Sequence, residues 1–388
     1  MDAGKLTRGP STASGSGLQG DPGLRGWLGT SSERTARAAF IWPALLVILF
    51  VSVFPLLVSL YISLSRLELV AGGFEFEFVG LENFRTLLVG SDQTHFLGLT
   101  RPLTPLGWLV LGAGLGLLAW GLVRAWRGRA TALGMVFRFL GALLAGGALW
   151  LTATTLFSRG GRPGTLTVTL IYVCVGVAFQ FLLGLGLAYF LTQGLPGQRF
   201  FRVVFLLPMM ITPVGVAYMF LMLTDTGKGP LQPIWALLGL TDFSWVNDPW
   251  GARVAVMVGD IWQWTPFMFI VLLAALEGQD LDTVEAAMVD GANRWQSFRH
   301  VTLPAILPVC ATVILIRLIE AFKIIDLPNV LTNGGPGTAT ESLTLHAYIT
   351  WRALDLGQSA AVAYSLLFIV TVAAMAFINL LRQRVAEA

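Results

Sequence analysis

The sequence predicts an all-α membrane protein, a polytopic bundle of about eight transmembrane helices, and three observations point there. Hydrophobic residues make up 55% of the 388 and charged residues 12%, whereas a water-soluble domain carries about a quarter charged residues. The mean hydropathy is +0.73. The apolar residues also gather into long runs, and in lipid at such lengths only helices satisfy their own backbone.

Taken in order, residues 1–37 are rich in Gly, Ser, Thr and Arg and lack a short apolar core with a cleavage site. They read as a disordered cytoplasmic tail. A span needs roughly 20 apolar residues, and the candidate runs are 40–64, 103–123, 136–157, 166–192, 203–223, 253–276, 305–325 and 359–381. The domain reading follows: 1–37 tail, 38–89 first helix and outer loop, 90–160 an inserted transmembrane hairpin, 161–388 the main transmembrane domain. Arginines and lysines concentrate in segments that face the cytoplasm if both termini lie inside, with Arg124, Arg127 and Arg129 at an inner hairpin tip. Arg159 and Arg162 fall outside in this arrangement. Proline occurs in or near several spans, as Pro43, Pro55, Pro208, Pro213, Pro266 and Pro308, and reads mostly as ordinary kinking.

Composition and spacing exclude several functions. A net charge of +3 with scattered basic residues gives no nucleic-acid surface. Cys174 and Cys310 each sit inside an apolar run with no metal-ligand spacing and read as small packing residues. His95, His300 and His346 form no metal-spaced set in the sequence, so no metal site and no catalytic constellation is expected. A phosphate-cradling loop needs G-x-x-x-x-G-K-[ST]. Thr226-Gly227-Lys228-Gly229 lacks both the first glycine and the final hydroxyl.

Between two apolar runs lies a polar, partly acidic stretch, Glu285-Ala286-Ala287-Met288-Val289-Asp290-Gly291-Ala292, followed by Phe298 and Leu303-Pro304. Leu281 to Asp290 can form a short helix with Leu281, Val284 and Met288 on one face and Asp282 and Glu285 elsewhere. Gly291 can end it in a left-handed turn. Residues 293–300 are expected as a second short helix, with Pro304 marking entry into the next span.

These letters and spacings resemble the cytoplasmic coupling loop of permease subunits in bacterial ATP-binding-cassette (ABC) importers. The resemblance extends along the chain to the carbohydrate-uptake group that includes the maltose permeases. It is carried by Phe78-Val-Gly-Leu-Glu-Asn-Phe84, Phe200 to Pro213, Asp260-Ile-Trp-Gln-Trp-Thr-Pro-Phe267, and Leu331-Thr-Asn-Gly-Gly-Pro336 with Thr340-Glu341. It implies a type I ABC importer permease core in the cytoplasmic (inner) membrane, moving a sugar or related polar solute by alternating access. It further implies a second homologous permease as heterodimer partner, two ABC ATPase subunits, and an extracytoplasmic solute-binding protein. No cofactor is expected in this chain, because ATP and Mg would bind the partner subunits, which would do the hydrolysis. Glu285, Ala286, Ala287, Asp290, Gly291, Leu303 and Pro304 would couple the chain to the ATPase. The hairpin at 90–160 departs from the six-span minimum of the group, with lipid-facing support and partner contact both open as its role.

For a substrate path, Arg317, Glu320, Lys323 and Asp326 are spaced by three, near one helical stripe. Two readings stand together: a self-neutralising stripe between helices, or a polar lining for a hydroxyl-rich solute, since charges within spans usually face the bundle interior or a wet cavity. Gln263, Trp264 and Phe267 add amide and aromatic groups suited to sugar recognition. Trp262 and Trp264 point about 200° apart on a helix, so at most one faces a cavity, and Trp264 is preferred. The charges at Arg317, Glu320 and Lys323 depart from the maltose permeases and would suit a polyol, a glycerophosphodiester or an acidic saccharide. The alternatives are an importer permease for a non-sugar solute and a gradient-driven secondary transporter, the latter needing paired inverted repeats.

Overall fold

The computed structural model describes residues 41–70, 73–126, 132–194 and 196–387. The predicted tail at 1–37, and Arg127 and Arg129 of the hairpin tip, lie outside these residues. The chain divides into two compact units, residues 1–59 and 60–388.

The described part of the first unit is the apolar start of α1 (Ile41–Ser63), whose side chains from Ile41 to Val58 are exposed. Its backbone widens to a π turn over Leu49–Val53, two residues before Pro55. A proline removes one N–H from the helical ladder, and a π turn is one way a helix absorbs the loss. The same pairing recurs at Phe298–Thr302, two residues before Pro304.

The second unit starts at the end of α1 and continues with a hairpin of β1 (Ser65–Val70) and β2 (Gly73–Phe78), then the short helices α2 (Glu82–Leu88) and α3 (Gln93–Phe96). Next come β3 (Gly98–Leu99), the long helices α4 (Pro105–Trp126) and α5 (Ala132–Leu156), and β4 (Arg162–Pro163). β3 pairs antiparallel with β4, Leu103 bridges to Ser158, and the Thr104 hydroxyl donates to the Phe157 carbonyl at 2.6 Å. Both feet of the α4–α5 hairpin are therefore pinned together at one end of the unit. At Gly141 a Cβ would come within 2.5 Å of the Ala376 Cβ, so α5 lies close against α16 (Leu356–Glu387).

The core lies among α6 (Thr165–Leu191), α10 (Pro249–Glu277) and α13 (Leu303–Ala321). Val173, Ala188, Met268, Phe269, Leu272, Ile306 and Val313 are buried there. At Gly184 a Cβ would meet the Met268 Cβ at 2.5 Å and the Phe269 nitrogen at 2.9 Å. Small residues permit this approach of two helix backbones in a membrane bundle.

Among the described residues, seven helices are long and apolar enough to cross a membrane, or eight if one bent pair counts as a span. That pair covers the run expected as one span at 203–223 and bends far beyond the ordinary kinking expected of its prolines. It is α7 (Gln198–Met210) and α8 (Pro213–Leu223), meeting at 96°. Ile211 and Thr212 are extended; for Thr212 this is the conformation that a following proline favours. The Thr212 hydroxyl then accepts from the Gly215 N–H at 3.3 Å, with Pro213 in the first turn. Hydropathy records the apolar run and is blind to its corner.

The unit also holds the short helices α9 (Gln232–Leu237), α14 (Asp326–Thr332) and α15 (Leu343–Arg352). Of the two cysteines, Cys310 packs in the core, but Cys174 is exposed on α6. The expectation that both pack inside is corrected for Cys174.

Candidate functional site

The acidic stretch forms a helix–turn–helix knob. Its first helix, α11 (Leu281–Val289), is capped by the Asp280 carboxylate, which accepts from the Asp282 N–H at 3.1 Å. Gly291 follows with φ +89 and nothing near its would-be Cβ, so glycine serves there for backbone freedom alone. The second helix, α12 (Arg294–Ser297), opens on a capping box. The Asn293 side chain accepts from the Gln296 N–H at 2.9 Å, and the Gln296 side chain accepts from the Asn293 N–H at 2.8 Å.

One expectation fails here. The second helix does not stop before the next span. It runs through the π turn at Phe298–Thr302 directly into α13, one helical rod from Arg294 to Ala321, with Pro304 in its first α turn. The knob's second arm and the span thus form one lever.

Phe298, buried, packs on Tyr189 of α6 with ring centroids 4.6 Å apart, and Trp295 stacks on Phe298 at 5.7 Å. Val284 and Met288 line a cleft of ≈ 390 Å³ beneath the knob, shared with Tyr189, Leu276, Arg294 and Phe298. The outer side exposes Asp282, Glu285, Ala286, Asp290 and Gly291 together with Val289, which is 87% exposed. Ala287 and Leu303 are half-buried and Pro304 is exposed. Arg202 of α7 pairs with Glu277 beside this end.

The proposed substrate-path residues are divided. Arg317 is 2% exposed. Its guanidinium donates to both Asp260 carboxylate oxygens at 2.7 and 2.6 Å and, from Nε, to the Gln180 amide oxygen at 2.8 Å. Gln180 Nε2 in turn donates to Asp260 Oδ2 at 2.8 Å. Gln180 lies between Gly176 and Gly184 on one face of α6, so the glycines that let α10 approach also bring the amide to Asp260. Trp264, one turn along α10 from Asp260, has its ring centroid 4.8 Å from the guanidinium carbon.

The stripe expected through Asp326 ends early, because α13 stops at Ala321. Glu320 and Lys323 are exposed and pair with each other at 2.7 Å, while Asp326 opens α14. Gln263 is buried, its amide donating to the Ile211 carbonyl at 3.4 Å, and Phe267 is half-buried. Trp262 points away, 37% exposed, against Phe220 at 5.9 Å. Asp260 and Gln180 were missed as site residues. The available signal was that a carboxylate within an apolar run demands a cation.

At the end of the unit opposite the knob, the segment after α14 is tightly stitched. Asn333, Gly334 and Gly337 adopt positive φ. Tyr172 donates to the Thr340 carbonyl at 3.2 Å, Arg253 to the Ala339 carbonyl at 2.6 Å, and Ser342 to the Ile324 carbonyl at 2.6 Å. Here the spacing argument about histidines is corrected. Far apart in sequence, His95 and His346 stack with ring centroids 4.2 Å apart, and His95 Nε2 lies 3.0 Å from Glu341 Oε2. His300 lies at the other end, its Nδ1 3.0 Å from the Gln296 carbonyl.

The family model described as "Binding-protein-dependent transport system inner membrane component" matches residues 180–387. The chain is 33% identical over 196 residues to the trehalose/maltose transport system permease protein MalF of Thermococcus litoralis, an alignment covering 50% of this chain and 66% of that relative. It is 33% identical over 234 residues to the inner membrane ABC transporter permease protein YcjO of Escherichia coli K12, covering 59% and 77%. Among solved structures, a bacterial ABC transporter involved in the import of the acidic polysaccharide alginate matches in fold. Its TM-score is 0.62 at 17% identity, over 92% of this chain and 99% of that one. With the family model covering the knob, the buried Arg317–Asp260 pair, and α10 and α13 of the core, the chain belongs to the inner membrane components of binding-protein-dependent transport systems.

Proposed function

We propose that the chain is the permease subunit of an ATP-driven ABC importer that moves a sugar or related polar solute by alternating access. It works with a second permease, two ATPase subunits and an extracytoplasmic solute-binding protein, both of its termini being cytoplasmic. The observation that carries this reading is the knob at 281–304, an exposed acidic and apolar surface continuous with a membrane-spanning lever. The exposed Val289 and Trp295 suit burial in a partner's cleft, and Glu285 and Asp290 suit a basic rim. A push on the knob is carried along the rod from Arg294 to Ala321 into the bundle. ATP and Mg bind the partner subunits, and this chain contributes the path. The relatives' printed sugar names favour a carbohydrate over a peptide-like solute.

We further propose that the path is lined near Trp264 and Phe267 on α10 and by Glu320 and Lys323, with Arg317 held by Asp260. The reading is tested by uptake in membranes holding the partners. Glu285→Lys combined with Gly291→Val is expected to abolish uptake and weaken ATPase co-purification while the chain still inserts. Full uptake by that double variant would reject coupling through the knob. Trp264→Ala and Glu320→Gln are expected to change which solute competes, and unchanged competition profiles in both would reject the lining.

A further inference from the structure

We propose that His95, Glu341 and His346 form a binding site for one divalent transition-metal ion of the zinc type, at the end of the bundle opposite the knob. Each residue offers one ligand atom, and these atoms all lie within 4.8 Å of one another. Two imidazoles and one carboxylate are a donor set that suits zinc, and that calcium or magnesium, which prefer oxygen, do not match. Three protein ligands leave a fourth position for water.

A second observation points the same way. Glu341 is 3% exposed, and its Oε1 is buried with no hydrogen-bond partner among the described residues. An unsatisfied carboxylate oxygen in such a place is costly. The loop places the residue there, its backbone N–H donating to the Thr338 carbonyl at 3.3 Å. His346 is 2% exposed, and Thr165 Oγ1 lies 3.3 Å from its Nδ1. That contact engages Nδ1 in the way second-shell partners orient metal-ligating histidines, and the proposal assigns Nε2 to the ion.

The bland alternative is a simple ion pair between a protonated His95 and Glu341. A proton on His95 therefore satisfies one carboxylate oxygen, leaves the other bare, and sets a cation against the stacked ring of His346. A divalent ion in place of that proton engages all three side chains.

Ligand atoms around tetrahedral zinc stand about 3.3 Å apart, given bonds of about 2.0–2.2 Å. The His95–Glu341 distance of 3.0 Å is a hydrogen-bond contact, and the stacked His95 and His346 rings, 16° apart in plane, have to part for both nitrogens to meet one ion. His95, with 31% of its side chain exposed, is the ligand that turns to close the site, and its side is the entry path. Because His95 comes from the segment before the α4–α5 hairpin and the other two from α15 and the loop before it, the ion would clamp separate parts of the unit.

The test uses the full chain purified in detergent through a histidine-free tag, stripped with a chelator and desalted. With Zn2+ alone as probe, one ion per chain is expected, the melting temperature rising with Zn2+ but not with Ca2+. Co2+ should give the intense visible absorption of a four-coordinate nitrogen–oxygen site. His95→Gln, at the exposed ligand and able to keep a hydrogen bond to Glu341, is expected to lower Zn2+ affinity at least tenfold, and His300→Gln to leave it unchanged. Wild-type chain that retains no zinc, or His95→Gln that binds as tightly as wild type, would overturn the site. Equal loss in His300→Gln would also overturn it, by marking binding as non-specific. Since uptake is not measured, failure here leaves the importer reading untouched.

Discussion

Two ion pairs stand within one turn and a half of each other on the same stretch of chain, and they differ in almost everything else. Arg317–Asp260 is buried, joins α13 to α10, and is completed by Gln180 of α6 and the Trp264 ring. Glu320–Lys323 is local, with side chains 44% and 57% exposed. The Coulomb attraction of a bare pair is similar in form for both. What separates them is the cost of the alternative: a charge freed at the surface is rehydrated, while a charge freed among α6, α10 and α13 has no water to turn to. The same sequence spacing thus yields a structural keystone at one position and a solvated pair at the next.

The comparison is open to breakage, starting where the effect is largest. Arg317→Leu leaves Asp260 buried and unpaired, and is expected to cost about 3–5 kcal/mol, read as a large fall in melting temperature in detergent. Adding Asp260→Leu to it should recover much of that loss, because a well-packed apolar replacement of a buried pair is often neutral. Failure of the double variant to recover would show that the pair sets the position of α13 rather than merely neutralising itself. Gln180→Leu removes a partner from both charges and is expected to cost about 1–3 kcal/mol. Trp264→Ala removes a desolvated cation–π contact, with an expected loss of up to about 2 kcal/mol, and Trp264→Phe should retain part of it. Lys323→Ala, the smallest change, is expected to shift stability by under about 1 kcal/mol and to be further screened by salt. A Lys323→Ala loss as large as that of Arg317→Leu would erase the distinction.

Much of the scaffold was legible in the letters. The run predicted at 166–192 is α6, Thr165–Leu191, and that at 253–276 lies within α10, Pro249–Glu277, because a long apolar run has few other outcomes in lipid. Gly291 was readable for a like reason, since a helix stop needing positive φ selects glycine. Where the reading failed, the missing information was three-dimensional. The stripe from Arg317 to Asp326 assumed a helix that ends at Ala321. The corner between α7 and α8 depends on the spacing of two prolines within an apolar run. His95 and Glu341 are 246 residues apart, a contact that no local periodicity encodes. Asp260 appeared among the resembling residues, yet its partners, Arg317 and Gln180, lie on two other helices.

The short clasp between β3 and β4 has a consequence of its own. A Cβ on Gly98 would fall 2.5 Å from the Gly164 nitrogen, and one on Gly164 would fall 2.3 Å from the Gly98 nitrogen. Chain entry to α4 and chain exit from α5 are therefore nearly touching. A segment of some sixty residues is closed at its base in this way, and its removal with a two- or three-residue splice is expected to leave α6 starting where it starts now. Such a join would let a bundle of this kind gain or shed a pair of spans without relearning how to fold the rest.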